Sequence, residues 1–151
     1  MIADPIVIAA YARTPMGGMQ GALASVPATK LGAIAIQAAV DRAGVAPEAV
    51  DQVIMGCVLP AALGQAPARQ AALGAGLPIS TGATTINKVC GSGMKAAMMA
   101  AEAIIAGTSD VVVAGGMESM TNAPYLMLKG RGGYRLGHDR IFDHMMLDRS
   151  E

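Results

Sequence analysis

The chain has 151 residues, which is the size of one ordinary domain and enough to bury a hydrophobic core. Eleven basic side chains balance eleven acidic ones, and no basic stripe with interleaved aromatic residues is present, so we expect no nucleic acid among its partners. Two cysteines are too few for a disulfide scaffold, and no apolar run approaches the length of a membrane span. These features predict a cytoplasmic protein that does not bind membranes.

The first part of the chain predicts a strand, a helix and a turn. The apolar run 5–12 is bounded by turn residues and predicts a buried strand. Residues 28–45 place apolar side chains at helical spacing, with Thr29 as the expected N-cap and Gly44 as the expected stop. Pro47 is expected to open a single turn.

Strand and helix signals alternate from residue 52 to residue 116. We predict strands at 52–59, 83–89 and 110–116, and helices at 66–76 and 93–106. The later helix is assigned one apolar face, made of Met94, Ala97, Met98, Ala101, Ile104 and Ile105. Because the strands are apolar throughout, the sheet is expected to be covered on both faces, which defines an α/β fold.

The character of the sequence changes near residue 118. Residues 119–151 contain the only Phe, both His and two of the three Tyr, with little alternation of apolar and polar residues. We therefore divide the chain into an α/β unit, residues 1–118, and the start of a loop region, residues 119–151, which we expect to be incomplete.

Cys90 stands at the joint between a predicted strand and a predicted helix, and Gly-Ser-Gly follows it. At a helix N-terminus the first N–H groups lack intrahelical partners and the macrodipole is positive. Both effects favour a thiolate, and helix N-termini are among the places where a protein can lower the pKa of a cysteine from the free value of about 8.5. The same N–H groups are suited to stabilise an oxyanion. The joint therefore predicts a nucleophilic cysteine that forms a thioester.

A second interpretation of Cys90, as a small apolar residue in a tight turn, stays open from the local sequence. Cys57 differs from Cys90 because it lies inside the predicted strand 52–59, where a packing role is expected. Neither cysteine has a nearby Cys or His at ligand spacing, so no metal site is predicted. The run after Cys90 is neither a dinucleotide fingerprint nor a phosphate loop.

Four segments form a pattern in chain order: ARTPMGGMQGAL (12–23), VIMGCVLPAALGQAPARQAAL (53–73), NKVCGSGMKA (87–96) and VVVAGGMESMTNAPY (111–125). Together they closely resemble the thiolases, the family of acetyl-CoA acetyltransferases and 3-ketoacyl-CoA thiolases. The resemblance implies a mixed sheet with helices on both faces. It also implies that the chain is the first of two similar halves followed by the start of a loop region.

The resemblance further implies an acyltransferase. Cys90 matches the family's nucleophile, which takes an acyl group from one coenzyme A thioester and passes it to acetyl-CoA or to free coenzyme A. The Cys90 N–H resembles one donor of the family's oxyanion hole. The implied substrates are acetyl-CoA, acetoacetyl-CoA or 3-ketoacyl-CoA, with no permanently bound cofactor, in a homodimer or homotetramer.

Two motifs of the family's second half, Asn-x-His-Gly-Gly and Cys-x-Gly-Gly-Gly, do not occur in this sequence. In the family they supply the histidine that activates the nucleophile and the cysteine that acts as acid and base. We do not assign those roles to His138 or His144, and we expect Glu118 to order a loop. This chain alone is therefore expected to be inactive.

The cationic segment 129–140 is interpreted as a subunit contact, as the resemblance implies, rather than as a site for coenzyme phosphates. The residues that bind coenzyme A are not identified. Two further functions stay open. One is a non-catalytic chain that only associates. The other is a condensing enzyme like the ketoacyl synthases, against which the segment GGMESM (115–120) argues.

Overall fold

The computed structural model describes residues 6–147. Within this range the elements are α1 (Ala28–Ala43), β1 (Gln52–Gly56), α2 (Pro67–Gly74), β2 (Gly82–Ile86), α3 (Ser92–Ile105), β3 (Val112–Gly116), β4 (Tyr125–Leu126), β5 (Phe142–Asp143) and α4 (His144–Leu147), with 3₁₀ turns at Pro47–Ala49 and Met120–Asn122. None of these helices is long and apolar enough to cross a membrane.

The main sheet has the strand order β2-β1-β3, and its strands pair in parallel. The connection through α2 leads from β1 to one edge, and the connection through α3 leads back across β1 to the other edge. Because such crossovers are right-handed, α2 and α3 must lie on opposite faces of the sheet. Val53 and Met55 pack in one core cluster with α1 and α2. The prediction of an α/β fold with helices on both faces is confirmed.

The predicted strand at 5–12 is wrong for the part that the structure describes, because residues 6–12 form no strand. Apolar residues give this segment strand propensity, but a strand also needs a neighbour with which to exchange hydrogen bonds. Within residues 6–147 no strand lies beside the segment. The Arg42 side chain instead donates a hydrogen bond to the Tyr11 carbonyl at 2.9 Å.

The ends of α1 show one correct and one wrong prediction. Gly44 ends the helix as predicted, in the left-handed conformation with φ of 64°, which glycine adopts without steric cost. Thr29 is not the N-cap, because the helix begins at Ala28 after an extended Pro27. Because the proline ring fixes φ, Pro27 can precede the helix without a side-chain hydrogen bond to the first N–H groups.

The apolar face predicted for α3 is not the face that packs on the sheet. Ser92, Ala96 and Ala100 face the sheet, whereas Met94, Met98 and Ile105 are exposed. Small side chains allow a helix axis to approach a sheet closely, and a face chosen by side-chain hydrophobicity alone misses this effect. The first turn of α3 therefore lies directly against the ends of the strands.

Residues 119–147 are tied to the segment that precedes α1. The Asn122 side-chain amide donates to the carbonyls of Ala24 and Val26 at 3.0 and 3.3 Å. The Gln20 N–H donates to the Thr121 hydroxyl at 2.8 Å. The loop region is thus anchored at its start, while the division of the chain at residue 118 stays a prediction.

Candidate active site around Cys90

The segments that follow the three parallel strands meet at the carboxyl edge of the sheet, which is where α/β proteins place their sites. They enclose an open cleft of about 280 Å³. Its lining residues are Gly56, Val58, Val89, Cys90, Ser92, Gly93, Gly116, Met117 and Glu118. The predicted nucleophile is therefore part of a concave site.

Cys90 lies two residues before the first residue of α3, and its thiol is exposed. The first hydrogen bond of the α-helical i→i−4 type at the start of α3 runs from the Lys95 N–H to the Gly91 carbonyl at 2.9 Å. Within residues 6–147, the N–H groups of Cys90 and Gly93 have no acceptor. The first turn contains no acidic residue that would offset the positive end of the helix. Cys90 and Gly93 both line the cleft, so an exposed cysteine and two N–H groups without an acceptor among the described residues lie together at this joint.

The backbone before Cys90 has an unusual conformation. Val89 has a φ of 48°, which is a true outlier for a β-branched residue. The Asn87 side-chain oxygen accepts a hydrogen bond from the Val89 N–H at 2.9 Å. The Ser92 hydroxyl accepts from the Lys88 N–H at 2.8 Å and donates to the Val89 carbonyl at 2.6 Å. Two side chains therefore hold this turn.

Gly56 allows α3 to begin at the end of β1. A Cβ atom at this position would lie 2.5 Å from the Ser92 Cβ and 2.9 Å from the Ser92 carbonyl carbon. Such distances are far below van der Waals contact. Any larger residue at position 56 would displace the helix start that carries the cysteine.

Glu118 links the ends of β3 and β1. Its carboxylate accepts hydrogen bonds from the Val58 N–H at 2.8 Å and the Leu59 N–H at 2.9 Å. The Cys57 thiol donates to the same carboxylate at 3.7 Å. These contacts agree with the loop-ordering role predicted for Glu118. They give no sign that it acts on a substrate.

Cys57 has the properties of a packing residue. It is 1% exposed. Burial, and then the charge and hydrogen bond of Glu118, raise the pKa of its thiol to about 11. A neutral, enclosed thiol is a poor nucleophile at neutral pH, so the two cysteines differ as the sequence predicted.

We expect iodoacetamide at pH 7.5 to alkylate Cys90 at least about 100-fold faster than Cys57, because only about one thiol in 3,000 is ionised when the pKa is near 11. Peptide mapping by mass spectrometry against time measures both rates. In urea both cysteines should react alike, which serves as the control. Equal rates in the folded chain would show that the cleft does not distinguish them.

The two histidines lie away from this cleft. His138 belongs to the cationic segment 129–140, and His144 begins α4; neither lines the cleft. In the cationic segment the Lys129 ammonium contacts the Asp139 carboxylate at 2.7 Å. This hydrogen bond, with the opposite charges, raises the pKa of Lys129 and lowers the pKa of Asp139. Residues 6–147 contain no group of three or more His, Cys, Asp or Glu side chains that could hold a metal ion.

The fold and the cleft define a parallel α/β protein with a cysteine site at the carboxyl edge of its sheet. Residues 6–150 match the family model described as thiolase, N-terminal domain. The chain therefore belongs to the thiolase family, as its motifs predicted.

Several relatives agree with this assignment. The chain is similar to acetyl-CoA acetyltransferase 2 of Arabidopsis thaliana, with 59% identity over 95% of this chain and 36% of the relative. It is 54% identical to an acetyl-CoA acetyltransferase of Cupriavidus necator, over 95% of this chain and 36% of that protein. The solved Acat5 thiolase from Ascaris suum in complex with coenzyme A shares 39% identity and a TM-score of 0.88, over 91% of this chain and 36% of that one. The chain thus spans about a third of the length of these proteins.

Proposed function

We propose that this chain forms the nucleophile-bearing part of an acetyl-CoA C-acetyltransferase. Such an enzyme joins two acetyl-CoA molecules to give acetoacetyl-CoA and coenzyme A, or cleaves a 3-ketoacyl-CoA in the reverse direction. The observation that carries the proposal is the exposed Cys90 thiol beside free N–H groups at the start of α3. The names of the relatives, and the coenzyme A bound in the Ascaris structure, support coenzyme A thioesters as substrates.

In the first step the Cys90 sulfur attacks a carbonyl carbon, and the bond from Cys90 to that carbon forms. With acetyl-CoA the carbon is that of the thioester; its bond to the coenzyme sulfur breaks, and the coenzyme leaves as a thiolate that takes up a proton. With acetoacetyl-CoA the carbon is that of the 3-keto group; the bond between C2 and C3 breaks, and acetyl-CoA leaves as an enolate that takes up a proton at its α-carbon. Negative charge develops on the carbonyl oxygen in between. The free Cys90 N–H is suited to donate a hydrogen bond to that oxygen, and one such donor typically contributes about 3 kcal/mol to transition-state stabilisation.

In the second step the acyl group moves from Cys90 to the α-carbon of acetyl-CoA, or to the sulfur of coenzyme A. A base must remove the α-proton, and a base must also activate Cys90. Among residues 6–147 neither histidine lines the cleft, and the second cysteine is enclosed. We therefore propose that turnover needs groups that this segment does not provide, and that the chain by itself does not turn over.

A chimera tests the proposal, in which this chain replaces the matching segment of the Arabidopsis relative. The chimera is mixed briefly with acetoacetyl-CoA and then with iodoacetamide. We expect an acetyl group on Cys90 in part of the molecules and a carbamidomethyl group on Cys90 in the others. We expect no acetyl group on Cys57. We expect Cys90→Ser to lower turnover at least about 1,000-fold, since removal of a covalent nucleophile costs that much or more.

Cys57→Ser is the matched control, and it should leave turnover within about threefold of wild type because a serine fills nearly the same buried volume. A folded chimera that turns over with Cys90→Ser, or that carries its acetyl group elsewhere, would contradict the proposal. A cytoplasmic location and a dimer or tetramer stay predictions. Some relatives, such as acetyl-CoA acetyltransferase A of Xenopus laevis, are named as mitochondrial.

A further inference from the structure

The conformation of Val89, the residue before Cys90, needs an explanation. Its φ of 48° is disfavoured because the branched Cβ then crowds its own backbone. The residue is 65% exposed, so packing of its side chain does not hold it there. Hydrogen bonds to the neighbouring peptide groups must therefore maintain this backbone.

Ser92 supplies the first of these hydrogen bonds. Its hydroxyl is buried, accepts from the Lys88 N–H at 2.8 Å and donates to the Val89 carbonyl at 2.6 Å. The Ser92 N–H donates to the same Val89 carbonyl at 3.1 Å. The carbonyl of the peptide group between Val89 and Cys90 is thus fixed toward the start of α3.

That carbonyl determines the direction of the Cys90 N–H. In a planar trans peptide group the C=O and N–H bonds point in opposite directions. With the Val89 carbonyl held toward Ser92, the Cys90 N–H must point away from it, and within the described residues it has no acceptor. If Val89 relaxed to a negative φ, this peptide group would rotate and the Cys90 N–H would point in another direction.

Asn87 supplies the second hydrogen bond. Its side-chain oxygen accepts from the Val89 N–H at 2.9 Å, beyond the end of β2 where no strand partner is present. Its side-chain amide also donates to the Val58 carbonyl at 3.4 Å. The Val58 N–H is in turn bound by Glu118 at 2.8 Å. Asn87 thus connects the strained turn to the segment after β1 on another side of the cleft.

We propose that Asn87 and Ser92 are positioning residues, which hold Val89 in its left-handed conformation and thereby aim the Cys90 N–H at the developing oxyanion. The inference rests on the acyl-transfer function proposed above. Neither side chain needs to touch the substrate, since each acts through the peptide group that precedes the nucleophile.

The test measures the rate of acetyl transfer from acetoacetyl-CoA to Cys90 in the chimera, by rapid quenching and mass spectrometry. We expect Asn87→Ala and Ser92→Ala each to lower this rate at least about 10-fold, as loss of oxyanion alignment does. Asn87→Asp keeps the acceptor for the Val89 N–H and should stay within about threefold of wild type. Alkylation of Cys90 by iodoacetamide forms no oxyanion and should change less than about threefold in every variant.

A rescue separates this role from a merely structural one. Glycine adopts positive φ without strain, so Val89→Gly should restore acetyl transfer in the Asn87→Ala background to within about threefold of Val89→Gly alone. Val89→Ala should give no rescue. Asn122→Ala is the matched control, because Asn122 donates to Ala24 and Val26 far along the chain from Cys90; it should leave the rate within about twofold.

Each outcome decides one of the two proposals. If wild-type chimera acetylates Cys90 and Asn87→Ala does so equally fast, or if Val89→Gly gives no rescue, the positioning role is overturned. If Asn87→Ala does not fold, Ser92→Ala, which keeps its Cβ against the glycine at 56, decides the question alone. If folded wild-type chimera acetylates no cysteine, the proposed function fails, and the positioning role fails with it.

Discussion

Gly56→Ala is expected to destabilise the fold by about 3 kcal/mol, at the upper end of the range for overpacking. The added Cβ would lie 2.5 Å from the Ser92 Cβ and 2.9 Å from the Ser92 carbonyl carbon. β1 cannot move aside, because Gly56 pairs with β2 on one side and β3 on the other. The start of α3 has to shift instead, and the Cys90 turn moves with it. Urea denaturation of the 151-residue chain measures the loss of stability.

Gly82→Ala is the matched control for this variant, because Gly82 also lies in a strand of the same sheet. A Cβ there would lie no closer than 3.5 Å to its nearest neighbours, the Asp51 carbonyl oxygen and the Gln52 side chain. We expect its free energy of unfolding to stay within about 0.5 kcal/mol of wild type. Similar values for the two variants would show that close approach at Gly56 does not set the position of α3.

The elements that sequence reasoning located correctly depend on local information. Gly44 ends α1 because glycine adopts the left-handed conformation, and this is visible in the sequence without a structure. The three parallel strands begin close to the predicted positions, but β1 and β2 each end three residues before the predicted 59 and 89. The crossover rule then places α2 and α3 on opposite faces. These features do not need knowledge of distant contacts.

The errors arise where the result depends on distant contacts. The segment 6–12 has strand composition, but its pairing depends on a neighbour that its own residues do not specify. The most apolar side chains of α3 do not mark its buried face, because the small Ala96 and Ala100 pack on the sheet whereas Met94 is 71% exposed. By hydrophobicity alone methionine is the residue expected to be buried. Which face of α3 is buried depends instead on how closely the helix approaches β1.

In the candidate site, too, the features that depend on neighbouring residues can be predicted and those that depend on distant contacts cannot. Cys90 is predicted from the sequence because it stands between strand and helix signals, although in the structure β2 ends at Ile86 and a turn carries the cysteine. The hydrogen bond between Cys57 and Glu118 joins residues 61 positions apart, and no local sequence pattern predicts it. One sequence signal could predict the contact of Asn87, since asparagine often accepts a hydrogen bond from the N–H two residues later in a turn.

The second large effect is expected for Glu118→Ala, which should destabilise the chain by about 3 kcal/mol. The substitution leaves the Val58 and Leu59 N–H groups without their acceptor, and hydrogen bonds to a charged group contribute roughly 1.5–3 kcal/mol each. Water entering the open cleft offsets part of this loss. The substitution should also lower the pKa of Cys57 from about 11, though burial, its largest cause, keeps that pKa above the usual value.

Two further variants show whether the contacts of Glu118 explain this effect. Glu118→Gln keeps one acceptor oxygen but turns an amide toward the other N–H group, so its loss of stability should lie between wild type and alanine. Glu102→Ala is the matched control, because its side chain is 62% exposed and only meets Lys95 at 3.4 Å. Such a surface pair should contribute less than about 0.5 kcal/mol. If urea denatured Glu118→Ala and Glu102→Ala at the same midpoint, the carboxylate would not be what joins the ends of β1 and β3.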